Sequence, residues 1–334
     1  MSLEILKPGM LTTVQDTGRR GFQKDGILVS GAMDTIALRI GNLLAGNPEN
    51  TAALEITLSG PKIQFTQEHL IAITGADLSA TINGEQLKLW RPVLVTKGSI
   101  LEFGAPRVGC RTYLAVAGGL SVPNVLGSSA TYLQAGFGGY KGRALQAGDM
   151  VQVNPGNTLL TAYAKTLAAK SIAGAPVHAP WSIAPQLYPG YTNAPVIRTL
   201  RGPEYDLFTD ESKVYFWENE FLISTQSDRM GYRLQGSSLV LKEPVELLSS
   251  AVTSGTVQVP SEGNPIILMA DHQTTGGYPR LAQVISADLP ILAQLAPGKK
   301  LRFTEVSLEQ AQRLYIHQEQ LIEKIQQTLH LKIS

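Results

Sequence analysis

The sequence predicts a mainly β fold with a few helices, and three observations support this prediction. Short apolar segments rich in β-branched residues recur through both halves of the chain, bounded by Gly, Pro, Asn or Asp. The 334 residues include 32 Gly and 19 Pro, which provide many turns. Few helical patterns separate the segments, and closely spaced strands without intervening helices favour antiparallel barrels or sandwiches.

The predicted strands are short in both halves. In the first half they are LEIT, LIAIT, PVLVT, SILEF, RTYLAVAG and DMVQVN. The Asn83-Gly84 dipeptide in INGEQL is typical of a tight hairpin turn. In the second half the predicted strands are PVIRTL, KVYFWE, EFLIST, SLVL, TVQVP, PIILMA and KLRFTEV.

Two short helices are predicted from capping residues and helical spacing. The first begins after Asp34 as its N-cap and ends at Gly46, before an Asn-Pro pair. The second spans about 288–296, with Asp288 as its cap and Pro290 in its first turn.

A third helix begins with a capping box at Ser307 and runs to about Leu329, with apolar residues at helical spacing.

Before the second half, a stretch rich in Pro, Ala and Gly shows no sustained hydrophobic period, which indicates a connection between two units. The chain is therefore divided into a first β unit (1–155), a connection (156–195), a second β unit (196–306) and a C-terminal helix (307–334).

The two β units share short motifs. QDTGRRGFQKDG at 15–26 parallels SDRMGYRLQG at 227–236, since each places Asp and Arg before a Gly-aromatic pair. GGYKGRAL with AGDMVQV likewise parallels GGYPRLA with PGKKLRF. These matches predict a weak internal duplication, with two similar units related by pseudo-symmetry.

Composition excludes several classes of partner. The 28 Lys and Arg against 27 Asp and Glu give a net charge of +1, which provides no electrostatic footprint for nucleic acid or an anionic membrane. Only 16% of residues are charged, which suggests that part of the surface is buried against a partner.

The N-terminus lacks signal-peptide features, no apolar run approaches a membrane span, and Cys110 is the single cysteine. A cytoplasmic location is expected.

Familiar catalytic and cofactor motifs do not occur in this sequence. It has no P-loop, no G-x-G-x-x-G and no G-x-S-x-G. The five histidines are scattered without Cys or carboxylate companions at ligand spacing, so no metal site is expected.

Polar residues on glycine-rich loops are the remaining candidates. They lie in SDRMGYRLQG, in ILMADHQTTGGYPRLA at 267–282 and in TVQDTGRRG at 13–21. An arginine offers a planar fork of donors to a carboxylate or phosphate, and an adjacent Asp orients that fork or accepts a proton. If the two units meet, these loops converge on one cleft, where Asp228 positions Arg229 and Arg233 to bind an anion. A solvated turn with a structural ion pair remains the alternative for the first loop, and a wide hairpin for the second.

The candidate residues fall into two groups. The candidate catalytic residues are the carboxylates Asp16, Asp228 and Asp271. The candidate substrate-binding residues are Arg19, Arg229, Tyr232, Arg233, Thr275, Gly276, Gly277 and Tyr278.

Several long motifs carry a family resemblance. They are LTTVQDTGRRGFQKDGILVSGAMD, GNLLAGNPENTAALEIT, ITGADLSATING, AVAGGLSVPNVLGSSAT, SDRMGYRLQG and TVQVPSEGNPIILMADHQTTGGYPRLAQVISADLPILAQLAPG. In order along residues 3–305, they resemble the allophanate hydrolase subunit 2 family, also called the biotin-dependent carboxyltransferase family. In the family pattern an Arg often stands where this chain has His272, so a permanent charge is missing there.

The resemblance implies a fold of two tandem cyclophilin-like β-barrel units and a role in a multi-component enzyme. Within the family the chain is similar to the C subunits of bacterial 5-oxoprolinases, the group that includes KipA. Such assemblies also contain an A subunit and a KipI-like B subunit, and they open the lactam of 5-oxoproline to L-glutamate while hydrolysing ATP. The chain is expected to be inactive alone. The resemblance does not indicate where ATP binds, and the sequence has no biotin-carrier Met-Lys-Met.

Two other functions stay open at this point. The chain could be a regulatory protein that antagonises a KipI-like inhibitor of a sporulation sensor kinase. Prolyl isomerisation, by analogy with cyclophilins, rests on fold alone.

Overall fold

The first half of the chain forms two antiparallel sheets. The computed structural model describes residues 2–156, 158–169 and 175–333. The strands are β1 (Ser2–Lys7), β2 (Leu11–Gln15), β3 (Ala53–Thr57), β4 (Lys62–Phe65), β5 (His69–Asp77), β6 (Thr81–Ile82), β7 (Glu85–Gln86), β8 (Pro92–Val95), β9 (Ile100–Glu102), β10 (Val108–Val116), β11 (Met150–Gln152) and β12 (Val177–His178). The strand orders are β11-β1-β4-β9-β6-β7 and β12-β8-β5-β10-β3-β2.

The second half forms a closed barrel. Its strands are β13 (Val196–Arg201), β14 (Phe221–Ile223), β15 (Gly231–Gln235), β16 (Ser250–Ala251), β17 (Thr256–Gln258), β18 (Ile266–Leu268), β19 (Thr275–Gly276), β20 (Arg280–Val284) and β21 (Lys300–Glu305). The barrel order is β13-β20-β17-β18-β15-β14-β21, and β16 pairs with β19 as a separate ribbon. The mainly β fold with few helices is confirmed, although the first unit consists of two sheets and only the second is a closed ring in the described residues.

Five α-helices lie within the described residues. They are α1 (Thr35–Leu44), α2 (Thr158–Ala168), α3 (Asp210–Glu218), α4 (Leu289–Ala293) and α5 (Leu308–Ile333). The predictions of α1 and α5 are confirmed. Asp34 accepts a hydrogen bond from Ala37 N (2.9 Å), and Ser307 and Gln310 form the reciprocal capping box.

Two predictions, the Asp288 cap of a helix and the KVYFWE strand, are wrong. Asp288 occupies the N-cap position of α4 but makes no side-chain cap, because its carboxylate binds the guanidinium of Arg198 instead. KVYFWE is the end of α3 rather than a strand, since Thr209 caps that helix by accepting from Ser212 N (3.2 Å). Phe216 from this helix packs in the barrel core.

Other local predictions have mixed outcomes. The Asn83-Gly84 turn is confirmed between β6 and β7, with φ values of 51° and 84°. SLVL contains no strand, only an isolated bridge from Leu241 to Phe208. In the predicted connection the described residues include α2 and β12, while 157 and 170–174 lie outside the described residues.

The paired sequence motifs occupy different local structures. Asp16 and Arg19 follow strand β2 in a loop, whereas SDRMGYRLQG leads into and includes β15. The two motifs therefore differ in local conformation, and their equivalence in two repeated units stays a prediction.

Alternation along the strands separates two faces of the central sheet. Leu54, Ile56 and Leu114 point into the core between the sheets, and Tyr113 points to the opposite face. That outer face packs against α1 and α5. Glu55 pairs with Tyr113 across β3 and β10, so it shares this outer face.

Helix α5 is part of the core rather than a solvated appendage. Ile322, Ile325 and Leu329 are buried in the same cluster as Ile36 and Leu38 of α1. Truncating one of these side chains would leave a cavity in this layer.

We predict that Ile325→Ala lowers the free energy of unfolding by about 2–4 kcal/mol, because Ile325 is 2% exposed. Urea denaturation followed by circular dichroism measures the change. Leu331→Ala is the matched control on the same helix, since Leu331 is 81% exposed. Equal stability of the two variants would contradict the packing of α5.

Candidate functional site

A buried ion network joins the barrel to the outer face of the central sheet. Arg229, 5% exposed, donates from Nε to Asp271 Oδ2 (2.8 Å) and from Nη2 to Asp271 Oδ1 (3.1 Å) and Gly31 O (2.6 Å). Its Nη1 donates to Glu55 Oε1 across the boundary between the halves. The other Glu55 oxygen accepts from Tyr113 Oη (2.7 Å) and from the Met33 amide (2.8 Å). Arg229 and Glu55 are thus each compensated by partners from both halves, and Asp271 is compensated by Arg229.

A second part of the interface is built around Asp34. Its Oδ2 accepts from Tyr191 Oη (2.7 Å) and from Gln294 Nε2 (2.8 Å). The ladder between β10 and β5 is interrupted between Val108 and Thr112, and there Gln294 Oε1 accepts from the amides of Cys110 and Arg111. Gln294 therefore links the α1 cap, the β10 irregularity and the barrel.

The third part of the interface is a guanidinium–phenol contact. Arg111 Nη1 donates to Tyr232 Oη (2.6 Å) and to Ala293 O (2.5 Å). Burial raises the pKa of the Tyr232 phenol, so the hydroxyl keeps its proton at neutral pH. Tyr232, predicted to bind substrate, is 2% exposed and connects the two halves, and its binding role stays a prediction.

The structure brings Arg229 and Asp271 together, but away from solvent. The predicted anion-binding role of Arg229 is not supported, because Glu55, Asp271 and Gly31 occupy its donors. Asp228 does not position Arg229 as predicted: its exposed carboxylate accepts from the amides of Met230 (2.8 Å) and Gly231 (3.2 Å) in a turn. Arg233 is exposed on β15, on the face opposite Tyr232.

Asp16 and Arg19 stabilise loops of the first half. Asp16 accepts from Gly18 N (2.8 Å), Ser128 Oγ (2.7 Å) and Ser129 N (2.6 Å). Arg19 is 0% exposed, donates to Ala130 O (2.8 Å), and lies 4.7 Å from the Phe137 ring centre. The catalytic role predicted for Asp16 and the binding role predicted for Arg19 gain no support from these contacts.

Thr275, Gly276, Gly277 and Tyr278 lie on or beside the β16–β19 ribbon. Thr275 pairs with Ala251 and Gly276 with Ser250. Thr275 and Tyr278 are exposed, which matches the hairpin alternative for this loop more closely than a closed binding site. Their predicted binding role stays a prediction.

A cleft of about 590 Å³ opens beside the interface network. Its walls come from the 17–39 segment, from barrel residues 252–254 and 269–274, and from α5. The polar lining residues are Thr17, Arg20, Gln23, Ser30, Thr35, Arg39, Glu49, Asn50, Thr253, Ser254, His272, Thr274, Ser286, Tyr315, Gln318 and Glu319. The volume lies within the usual range for small-molecule sites. The cleft is therefore the candidate functional site.

His272 is the titratable base of this cleft. Its Nδ1 lies 2.6 Å from Gln273 O, and since a carbonyl can only accept, Nδ1 carries the proton in this contact. The lone pair is then on Nε2. Burial lowers the pKa of His272, so the ring is neutral at neutral pH.

Two further guanidiniums line the cleft, and sequence reasoning missed both. Arg39 binds Glu49 and, with two donors at 2.7 Å, Glu319 of α5. Arg20 is exposed, next to the buried Arg19. Arg19 and Arg20 lie in a loop after β2, where strand alternation gives no prediction, and the position of α5 had no sequence signal either.

The described part of the chain holds neither a cluster of metal ligands nor a membrane-spanning helix. There, no group of three or more His, Cys, Asp or Glu side chains is placed to hold a metal ion. Among the helices described, none combines the length and apolarity needed to cross a membrane.

Comparisons with known proteins identify relatives along nearly the whole chain. Residues 25–305 match the family described as carboxyltransferase domain, subdomain A and B. The 5-oxoprolinase C subunit of Haemophilus influenzae is 40% identical over 99% of this chain and 99% of its own length, and that of Escherichia coli K12 is 41% identical over 98% and 99%. The crystal structure of K. lactis urea amidolyase superposes with a TM-score of 0.86 at 32% identity, covering 97% of this chain and 20% of that one.

We predict that Arg229→Ala costs about 3–5 kcal/mol of stability, because it leaves Glu55 and Asp271 buried without their cation. A substrate-binding role would instead lower activity and spare stability. Chemical denaturation measures the loss. Arg233→Ala, at an exposed position four residues away, should change stability by less than about 0.5 kcal/mol. A similar small effect at Arg229 would show that the network is dispensable.

A pH dependence is expected from Asp34, because burial raises its pKa to about 6. Since this value lies above the ordinary value of about 4, the group favours folding below about pH 4 and loses about 3 kcal/mol of that contribution as pH rises past 6. Asn caps helices equally well but does not ionise. The stability difference between Asp34→Asn and the unmodified chain should therefore shift in favour of the variant between pH 4 and 7. Parallel stability curves in urea titrations would refute this.

Proposed function

The chain belongs to the carboxyltransferase domain family, and we propose that it is the C subunit of a multi-component 5-oxoprolinase. The complex would open the lactam of 5-oxoproline to L-glutamate, coupled to ATP hydrolysis. One observation carries this proposal: two proteins named as 5-oxoprolinase C subunits are 40% and 41% identical over nearly the full lengths of both chains. Such continuity without large insertions supports a shared role in the same kind of complex.

The cleft is the proposed substrate site. 5-Oxoproline is a small five-membered lactam with one carboxylate, and the cleft combines hydroxyl groups with apolar walls from Met33, Ile36 and Leu289. Apolar walls suit the ring methylenes, and a few hydroxyls can orient the amide. The urea amidolyase relative, by its name, acts on another small amide-type molecule, which is compatible with a cleft for this class of ligand.

The cleft residues could serve hydrolysis in two ways. Opening the lactam adds hydroxide to the carbonyl carbon, breaks the C–N bond and delivers a proton to the nitrogen. The neutral imidazole of His272 could accept the proton of the attacking water at Nε2 and return it to the leaving nitrogen. Hydroxyl donors around the cleft would stabilise negative charge on the carbonyl oxygen. ATP consumption by the complex would supply the activation that a resonance-stabilised amide requires.

Partner proteins are part of the proposal. The names of both relatives describe one component of an assembly, and we assign to that assembly a KipI-like B subunit and an A subunit. We also propose that the chain is inactive alone, because no nucleotide-binding motif is recognised in its sequence.

We predict that glutamate forms from 5-oxoproline only when this chain, the matching A and B subunits, and ATP are all present. Glutamate and inorganic phosphate are measured together, because coupling requires that they rise in parallel. Reactions lacking ATP or any one protein are the controls. Undiminished glutamate formation when this chain is omitted would sink the proposal.

A further inference from the structure

The two guanidiniums of the cleft differ in how their donors are used. Arg39 makes three hydrogen bonds to Glu49 and Glu319, so its charge is neutralised by neighbours. Arg20 is exposed, and within the described residues its guanidinium has no hydrogen bond or ion pair to a protein acceptor. Arg20 therefore presents an unpaired positive charge and a free fork of donors to the cleft.

The backbone beneath Arg20 is fixed, so its location at the cleft is built into the fold. Arg19 N donates to Val29 O (2.7 Å), and the Arg19 side chain is anchored in the interior at Ala130 O. Gly18 has φ of 90°, and a Cβ there would lie 2.8 Å from Ser30 O, so the two segments are in backbone contact. The next residue, Arg20, is exposed and lines the cleft.

Negative and positive net charge lie on different segments of the cleft lining. Arg39, Glu49 and Glu319 together carry one net negative charge, while Arg20 carries the compensating positive charge on another segment. An anionic group entering the cleft is repelled from the first cluster and attracted to Arg20. The arrangement thus favours one orientation for a ligand with a single carboxylate.

We propose that Arg20 binds the carboxylate of the substrate and that the site takes small cyclic amides that carry one carboxylate. This inference rests on the proposed function and adds the residue that selects the substrate. A guanidinium binds a carboxylate through two parallel N–H···O hydrogen bonds. With the carboxylate held at Arg20, the lactam extends toward the hydroxyl groups and His272 across the cleft.

The test uses the complex assembled from this chain and the matching A and B subunits. Arg20→Gln removes the charge at an exposed position, and we expect KM for 5-oxoproline to rise about 10- to 100-fold with little change in kcat. Arg20→Lys keeps the charge without the planar fork of donors, so its KM should lie between those of the unmodified complex and Arg20→Gln. Arg313→Gln, at an exposed arginine that does not line the cleft, is the control and should leave KM unchanged.

A second measurement separates this inference from the proposed function. Isothermal titration of the isolated chain compares 5-oxoproline with pyrrolidin-2-one, the same lactam without the carboxylate. The unmodified chain should bind 5-oxoproline more tightly, and Arg20→Gln should abolish the preference. This comparison holds even if the complex shows no turnover, an outcome that would sink the proposed function alone.

Four outcomes overturn the inference. The first three are a KM for Arg20→Gln within twofold of the unmodified complex, equal affinity of the unmodified chain for the two lactams, and binding of neither lactam. The fourth is an equal rise in KM for Arg20→Gln and Arg313→Gln, since the effect would then be general to surface charge.

Discussion

The structure depends on the buried pairing of Arg229 with Glu55 and Asp271 where the barrel meets the central sheet. Charges removed from water are tolerated only with partners in good geometry, so this contact permits one placement of the barrel on the sheet. Apolar packing alone would tolerate sliding, since it is non-directional. The main effect of the ion network is to fix how the two halves are aligned, rather than to add net stability. Glu55 reaches the Arg229 guanidinium from the first half of the chain, and Asp271 reaches it from the second.

The alignment of the two halves creates the cleft. One wall follows strand β2, a second belongs to the barrel, and the third is α5, which Arg39 holds through Glu319. The match to the carboxyltransferase domain family begins at residue 25 and ends at 305, so Arg20 and the α5 wall lie outside the matched range. The two relatives named as 5-oxoprolinase C subunits align over nearly the whole chain, so both flanks of the cleft lie within the range they share with this chain.

Sequence reasoning succeeded where the determining interactions are local. The Asp34 cap, the Ser307 capping box and the Asn83-Gly84 turn all involve residues within a few positions of one another. KVYFWE was misassigned because its aromatic and β-branched composition favours a strand, while the capping hydroxyl of Thr209 lies outside the segment. The functional residues were harder, because burial of Arg229 follows from docking against Glu55, 174 positions away in sequence.

Arg19 and Arg20 show why residue type alone could not identify the site. The two side chains are identical and adjacent, yet Arg19 is 0% exposed and Arg20 faces the cleft. What separates them is the supply of acceptors: Val125 O and Ala130 O bind Arg19, and no protein acceptor in the described part of the chain binds Arg20. A guanidinium whose partners are internal fixes the fold, whereas one without them keeps its binding energy for a ligand. The absence of a protein acceptor among the described residues, combined with a position that lines the cleft, is therefore what distinguishes Arg20 from the buried Arg19 and from the exposed Arg233.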